Sequence, residues 1–148
     1  MLKKIICILF FVLILILNCN TPSSDGSSSG GSDSNNPTIL STWEGTFDGD
    51  DTGIITNWHL KSDNSTAGTW ETSSSISIGF SGTYTLVGNN ISFTGSGIAI
   101  NTSNGTTDNF TLTGNGTVNM TTGIGTGTVT IVFSNWGTYN CNWDVNKI

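Results

Sequence analysis

The stretch ISIGFSGTYTL, residues 76–86, alternates apolar with small side chains over its whole length. Successive side chains of a β-strand point to opposite faces, so a period of two predicts a strand with one buried and one solvated face. The positions expected to face inward are Ile76, Ile78, Phe80, Gly82, Tyr84 and Leu86. A polar outward face is typical of antiparallel sheets with one side in water. The stretch therefore predicts an antiparallel all-β domain.

The same alternation recurs along the chain, and turn residues separate the segments. Pairs such as Asp63-Asn64, Asn104-Gly105 and Asn115-Gly116 are typical of tight turns. No apolar stripe with the helical period of 3.6 residues is present. We predict strands at 41–47, 54–61, 66–72, 76–86, 90–100, 108–114, 117–133 (broken near Gly125–Gly127) and 136–145. About eight short strands predict an up-and-down meander closed into a barrel, with a β-sandwich as the alternative.

The N-terminus, MLKKIICILFFVLILILNCN, has the pattern of a secretory signal that ends in a cysteine. The box Ile16-Leu17-Asn18-Cys19 resembles the relaxed cleavage box of spirochaete-type bacterial lipoproteins. That resemblance implies a signal peptide over 1–18, a lipidated Cys19, and a location on a membrane of the bacterial cell envelope, either periplasmic or surface-exposed. Cleavage without lipid attachment and an uncleaved span stay open. The apolar run from Ile5 to Leu17 reaches only about 20 Å as a helix, against a hydrocarbon core of about 30 Å.

Two further segments follow the signal. Residues 19–37 are rich in Ser, Gly and Asp, and they predict a flexible tether. Residues 38–148 predict one folded domain, whose only cationic side chains are Lys61 and Lys147. The acidic balance argues against nucleic acid as a partner and against electrostatic binding to anionic headgroups.

Two segments carry a resemblance to small secreted barrels. Trp43-Glu44-Gly45-Thr46-Phe47 and Ala67-Gly68-Thr69-Trp70-Glu71 resemble the opening hairpins of avidin-type barrels, and more loosely those of lipocalins. The resemblance implies an up-and-down barrel. No ligand-contact residue of those families maps onto this chain, so the resemblance does not imply biotin binding. The Gly-X-Trp opening of lipocalins is missing, because Trp43 precedes Gly45.

Few residues suggest chemistry. Asp48, Asp50 and Thr52 match the opening of a calcium loop, but its twelfth position is His59 instead of glutamate, so an acidic hairpin turn is the preferred interpretation. His59, the only histidine, is expected on the outer face of its strand. Cys141 is expected to be buried and without a disulfide partner, because Cys7 leaves with the signal and Cys19 carries lipid.

The carboxylates Glu44 and Glu71 are both expected on outward strand faces. We therefore expect neither an enzyme nor a bound cofactor, because the sequence offers no set of nucleophile, base and orienting group.

The aromatic residues allow three interpretations. In the first they fill a solid core, in the second they line a ligand pocket, and in the third they form an exposed strip that contacts a glycan or a protein. We expect a monomeric, non-catalytic display and interaction module. The alternative is a carrier of a small apolar or sugar ligand in the barrel cavity.

Overall fold

A computed structural model describes residues 36–148, which form eight β-strands. In chain order the strands are β1 (Ile39–Gly49), β2 (Gly53–Lys61), β3 (Ser65–Thr72), β4 (Ile76–Val87), β5 (Asn90–Asn101), β6 (Thr107–Asn119), β7 (Ile124–Phe133) and β8 (Gly137–Lys147). Each strand pairs antiparallel with the next along the chain, and β8 pairs with β1 to close a barrel. The predicted all-β up-and-down barrel is confirmed, and the β-sandwich alternative is not adopted.

Three sequence predictions lie outside the described residues. They are the signal peptide at 1–18, the lipidation of Cys19, and the tether at 19–37 except for its last two residues. Among residues 36–148, no helix is long and apolar enough to cross a membrane.

The alternation that decides the fold is present in β4 as predicted. Ile76, Ile78, Phe80 and Tyr84 are buried inside the barrel. Ile78 pairs with Trp70 of β3 on one side and with an alanine of β5 on the other, and all three side chains point inward. Inward positions thus form rows across neighbouring strands, and their side chains make up the core.

Closure depends on the pairing of the first and last strands. Gly45 lies opposite Val145, and Phe47 lies opposite Trp143. Beyond the end of β8, the backbone N–H of Ile148 donates to the carbonyl of a β1 threonine at 3.0 Å. Because this pairing satisfies the N–H and C=O groups of both terminal strands, the described sheet has no free edge.

The predicted boundary between β6 and β7 is wrong. A turn was expected at Asn115-Gly116 and a strand break near Gly125–Gly127, but β6 continues to Asn119 and the turn follows it. These glycines are strand residues that leave room for aromatic rings. A Cβ atom on Gly116 or Gly127 would lie 2.6 or 2.5 Å from Cζ2 of Trp143. Glycine inside a strand often marks such a close approach.

The barrel has two ends, which differ in the residues they carry. We call the end where β1 begins and β8 ends the proximal end, because residues 36–38 join the barrel there. The turns 62–64, 88–89 and 120–123 lie at this end. The opposite end, with the turns 50–52, 73–75, 102–106 and 134–136, is the distal end.

Candidate functional site

The barrel interior is the first candidate site, because the aromatic residues either fill it or line a pocket. Trp43, Trp58, Trp70 and Trp143 are each 0% exposed. Phe93 packs against two of them, with its ring centroid 4.9 Å from that of Trp58 and 6.1 Å from that of Trp143. Trp58 and Trp143 meet edge to face at 5.3 Å. An eight-stranded barrel is just wide enough for side chains to fill, and these rings fill its middle.

The indole N–H groups show how far the hydrogen-bonding groups of the interior find partners. Three of them donate a hydrogen bond: Trp43 to Ser41 Oγ at 2.9 Å, Trp58 to Thr66 Oγ1 at 2.8 Å, and Trp143 to Thr128 O at 3.1 Å. Trp70 Nε1 has no hydrogen-bond partner, and within residues 36–148 it is the one buried side-chain nitrogen or oxygen of this kind. A buried donor left unpaired costs about 1–3 kcal/mol.

A small cavity lies in the distal half of the barrel. Its volume is about 10 Å³, and its walls include Phe47, Ile131, Phe133, Tyr139 and Cys141. A single water needs roughly 10–15 Å³ measured in this way, whereas ligand pockets have volumes of about 300–1,000 Å³. The cavity is therefore too small for an organic ligand.

The acidic turn between β1 and β2 is the candidate calcium site. Its three predicted ligands face different partners: Asp48 accepts from Asn142 Nδ2 at 3.1 Å, Asp50 accepts from the Asn140 backbone N–H at 2.8 Å, and Thr52 donates to Ser73 Oγ at 3.0 Å. The two carboxylates thus tie the turn to β8. In the described part of the chain, no three or more His, Cys, Asp or Glu side chains are arranged to hold a metal ion. The geometry favours an acidic hairpin turn.

The remaining titratable candidates are dispersed over the barrel. His59 is half-buried on the outer face of β2, and its Nδ1 lies 3.0 Å from the Thr42 hydroxyl. Cys141 is buried inside and is a free thiol, as its alternation predicts. Glu44 and Glu71 are exposed on β1 and β3, with β2 between these strands. The structure therefore brings none of these four groups into a common site.

Asp108 is a structural carboxylate that our sequence analysis missed. It is buried at the start of β6 and accepts three hydrogen bonds: from the Asn135 backbone N–H at 2.7 Å, from Asn135 Nδ2 at 2.9 Å, and from the Trp136 backbone N–H at 3.0 Å. Burial raises the pKa of this carboxyl group, but the hydrogen bonds lower it by more, so the pKa lies below the ordinary aspartate value. Asp108 shares its inward parity with Phe110 and Leu112, and that pattern is visible in the sequence.

The outer face of β4–β7, which we call the uncharged wall, carries no charged side chain. Between Thr72 and Trp143 the chain has one charged residue, Asp108, and that residue points inward. The outward side chains of the wall are mostly hydroxyls and amides, together with the exposed aliphatic side chains of Ile98, Ile100 and Val132. Thr83, Thr94 and Thr113 lie side by side on three neighbouring strands.

An open groove of about 200 Å³ crosses the uncharged wall. Its polar lining consists of Thr83, Thr85, Ser92, Thr94, Thr113 and Asn115. At its edge, the Thr128 hydroxyl donates to Asn115 Oδ1 at 3.2 Å. A partner that lies along this groove meets rows of short hydrogen-bonding groups and no formal charge.

Comparison with known proteins identifies no relative of this chain. No family model, curated protein or solved structure significantly matches the chain.

Proposed function

We propose that this protein is a lipoprotein, anchored to a bacterial membrane through Cys19, that displays a non-catalytic barrel and contacts a partner through the uncharged wall. The observation that carries this proposal is the contrast between a filled interior and an outer face without charges. The interior cavity of about 10 Å³ leaves little room for a ligand. The cores of protein interfaces are depleted in charged residues, because charges are expensive to strip of water.

The same contrast favours display over the carrier alternative. A carrier needs an enclosed space, whereas the middle of this barrel is occupied by rings such as Trp58, Trp143 and Phe93. A non-catalytic role is supported by the separation of His59 from Cys141, which lie on opposite faces of the barrel wall.

The anchor is tested with one substitution and one matched control. Cys19→Ala should abolish labelling by a radioactive fatty acid and release the protein from membranes. Cys141→Ala should leave both properties unchanged, because this thiol is buried inside the barrel. A Cys19→Ala protein that keeps its acyl label contradicts the proposal.

The interaction surface is tested by photo-crosslinking on intact cells. A photo-reactive amino acid at Thr94 or Thr113 samples the groove, and the same amino acid at Glu44 samples the charged side of the barrel. We expect a discrete crosslinked product from the two groove positions and none from the Glu44 position. Equal products from all three positions, or none from any, contradict a partner on the uncharged wall.

A further inference from the structure

The proximal end carries a distinct set of side chains. Both lysines of the described residues, Lys61 and Lys147, end their strands there. The same end exposes five large aliphatic side chains: Ile39, Leu40, Val87, Ile124 and Ile148, which are 50%, 53%, 69%, 60% and 68% exposed. We call these seven residues the proximal rim. Lysine beside exposed aliphatic groups suits a lipid interface, because its stem lies along apolar surface while its ammonium group stays in water.

The distal end is more acidic than the proximal half, where Lys61 and Lys147 are accompanied by the three carboxylates of Glu44, Asp63 and Asp144. Its charged side chains are all acidic: Asp48, Asp50, Asp51, Glu71 and Asp108. The distal half also exposes aliphatic side chains, among them Ile54, Ile98 and Val132. One of these, Ile54, pairs directly with Glu71, so a carboxylate accompanies it. Charge, more than apolar surface, therefore distinguishes the two ends.

The chain enters the barrel at the proximal end. Thr38 is fixed there by two hydrogen bonds to Ser62 of the β2–β3 turn, at 2.9 and 3.0 Å. The sequence between Cys19 and Thr38 predicts a tether with a mean reach of roughly 20 Å. An anchored barrel is thus held by its proximal end and close to the lipid surface.

We infer that the proximal rim rests on the headgroups of the membrane that holds the anchor, an inference that rests on the lipid anchor of the proposed function. The anchor attaches the barrel by its proximal end, and the greater acidity of the distal end keeps that end away from the headgroups. Strands of this length and tilt make the barrel about 25–30 Å tall. That height exceeds the Debye length of about 8 Å, so in this orientation the distal carboxylates are screened from an anionic surface. Asp63 is the one acidic residue in the proximal turns.

This orientation has a consequence for the proposed function. With the proximal rim on the membrane, the strands rise from the bilayer, and the uncharged wall faces sideways. A partner then meets the groove of β4–β6 from the side, and the acidic distal end points away from the lipid.

The test compares two probes on the full, lipidated chain in vesicles. The vesicles contain phosphatidylethanolamine, phosphatidylglycerol and a lipid with a nitroxide quencher on its headgroup. A fluorophore is attached to an introduced cysteine, either Asn90→Cys at the proximal end or Thr138→Cys at the distal end, both of which are exposed. Quenching at position 90 should exceed quenching at position 138 by at least about fivefold, because the barrel height separates the two probes.

A pair of double variants tests the rim itself. Val87→Asn with Ile124→Asn should reduce the quenching at position 90 by about half or more, because it removes apolar contact with the lipid. Ile98→Asn with Val132→Asn changes two other exposed aliphatic residues far from the rim, and it should leave the quenching unchanged.

The outcomes separate this inference from the proposed function. Protein that fails to stay with the vesicles overturns the lipid anchor and the docking together. Vesicle-bound protein with equal quenching of both probes, or with stronger quenching of the distal probe, overturns the docking and leaves the anchor intact.

Discussion

The proximal and distal halves of the barrel are built from the same alternating strands, yet their interiors differ. In the proximal half, the indoles of Trp43 and Trp58 are hydrogen-bonded, and the Tyr84 hydroxyl donates to the Lys61 carbonyl at 2.8 Å. In the distal half, Trp70 has an unpaired indole N–H, and a cavity of about 10 Å³ lies beside Cys141.

The difference shows that packing and hydrogen bonding in a small barrel can be more complete at one end of its axis than at the other. Glycines on the facing strands leave room for aromatic rings in both halves, for example Gly127 beside Trp143 and Gly53 beside Phe47, but only the distal half also contains a cavity. The distal half is also held by carboxylates such as Asp50 and Asp108, which accept hydrogen bonds from backbone N–H groups. We therefore expect the proximal half to respond strongly to changes in volume, and the distal half to respond to changes in charge.

The most destabilising substitution should be at a glycine that clears space in the proximal half. A Cβ on Gly127 would lie 2.1 Å from the Asn115 carbonyl oxygen and 2.5 Å from Trp143 Cζ2. Gly127→Ala should therefore destabilise the fold by about 3 kcal/mol, since neither the β6–β7 ladder nor the buried ring can move away freely. Gly79→Ala is the matched control, because nothing lies within 4 Å of its Cβ position. Urea unfolding of both variants measures the difference, and equal losses would contradict the comparison.

A second pair of substitutions compares a satisfied indole with the unsatisfied one. Trp58→Phe removes the hydrogen bond to Thr66 and some ring volume, and it should cost about 2 kcal/mol. Trp70→Phe loses similar volume but also removes an unpaired buried donor, so its cost should stay below about 1 kcal/mol. The free energies of unfolding in urea check both values. If Trp70→Phe is as costly as Trp58→Phe, the indole of Trp70 has a role that packing does not explain.

A third prediction concerns charge in the distal half. The pKa of Asp108 is lower in the fold than its ordinary value of about 3.9, so its stabilising contribution is fully present above that pH and is lost as the pH falls through the lowered pKa. Asp108→Asn should lower the Tm at neutral pH and flatten the fall in Tm between about pH 5 and about pH 3. Glu44→Gln, on the outer face, serves as the control for loss of a carboxylate. An Asp108→Asn protein whose Tm falls as steeply as the wild type contradicts this role.

The barrel itself was predictable from the sequence because alternation is a local signal. The inward parity of β4, the burial of Trp58 and that of Cys141 all follow from residues two apart. The β6–β7 boundary was not predictable in the same way. An Asn-Gly pair such as Asn115-Gly116 is typical of a turn, but Gly116 is a strand residue here because the ring of Trp143 packs over it. Trp143 is far along the chain, so the local sequence does not reveal this contact. Closure of β8 on β1 likewise depends on distant residues.

The candidate site was predictable only in part. The scarcity of charge from 72 to 143 is visible in the sequence, but its gathering on one wall requires the order of the strands. The difference in charge between the two ends of the barrel can likewise be predicted only when the strand order is known. Lys61 and Lys147 are far apart in sequence and meet at one rim because even-numbered strands all end there.

The smallest expected signal is chemical, and it tests whether the distal half opens separately. Burial raises the pKa of the Cys141 thiol, so this residue should react with a thiol reagent far more slowly in the folded protein than in urea. Because the cavity lies beside it, we expect reaction through local opening, about tenfold faster than global unfolding allows. Val118→Cys in a Cys141→Ala background places a thiol in the closed proximal half, where only global unfolding should expose it. Equal rates for the two thiols would show that both halves unfold as one cooperative unit.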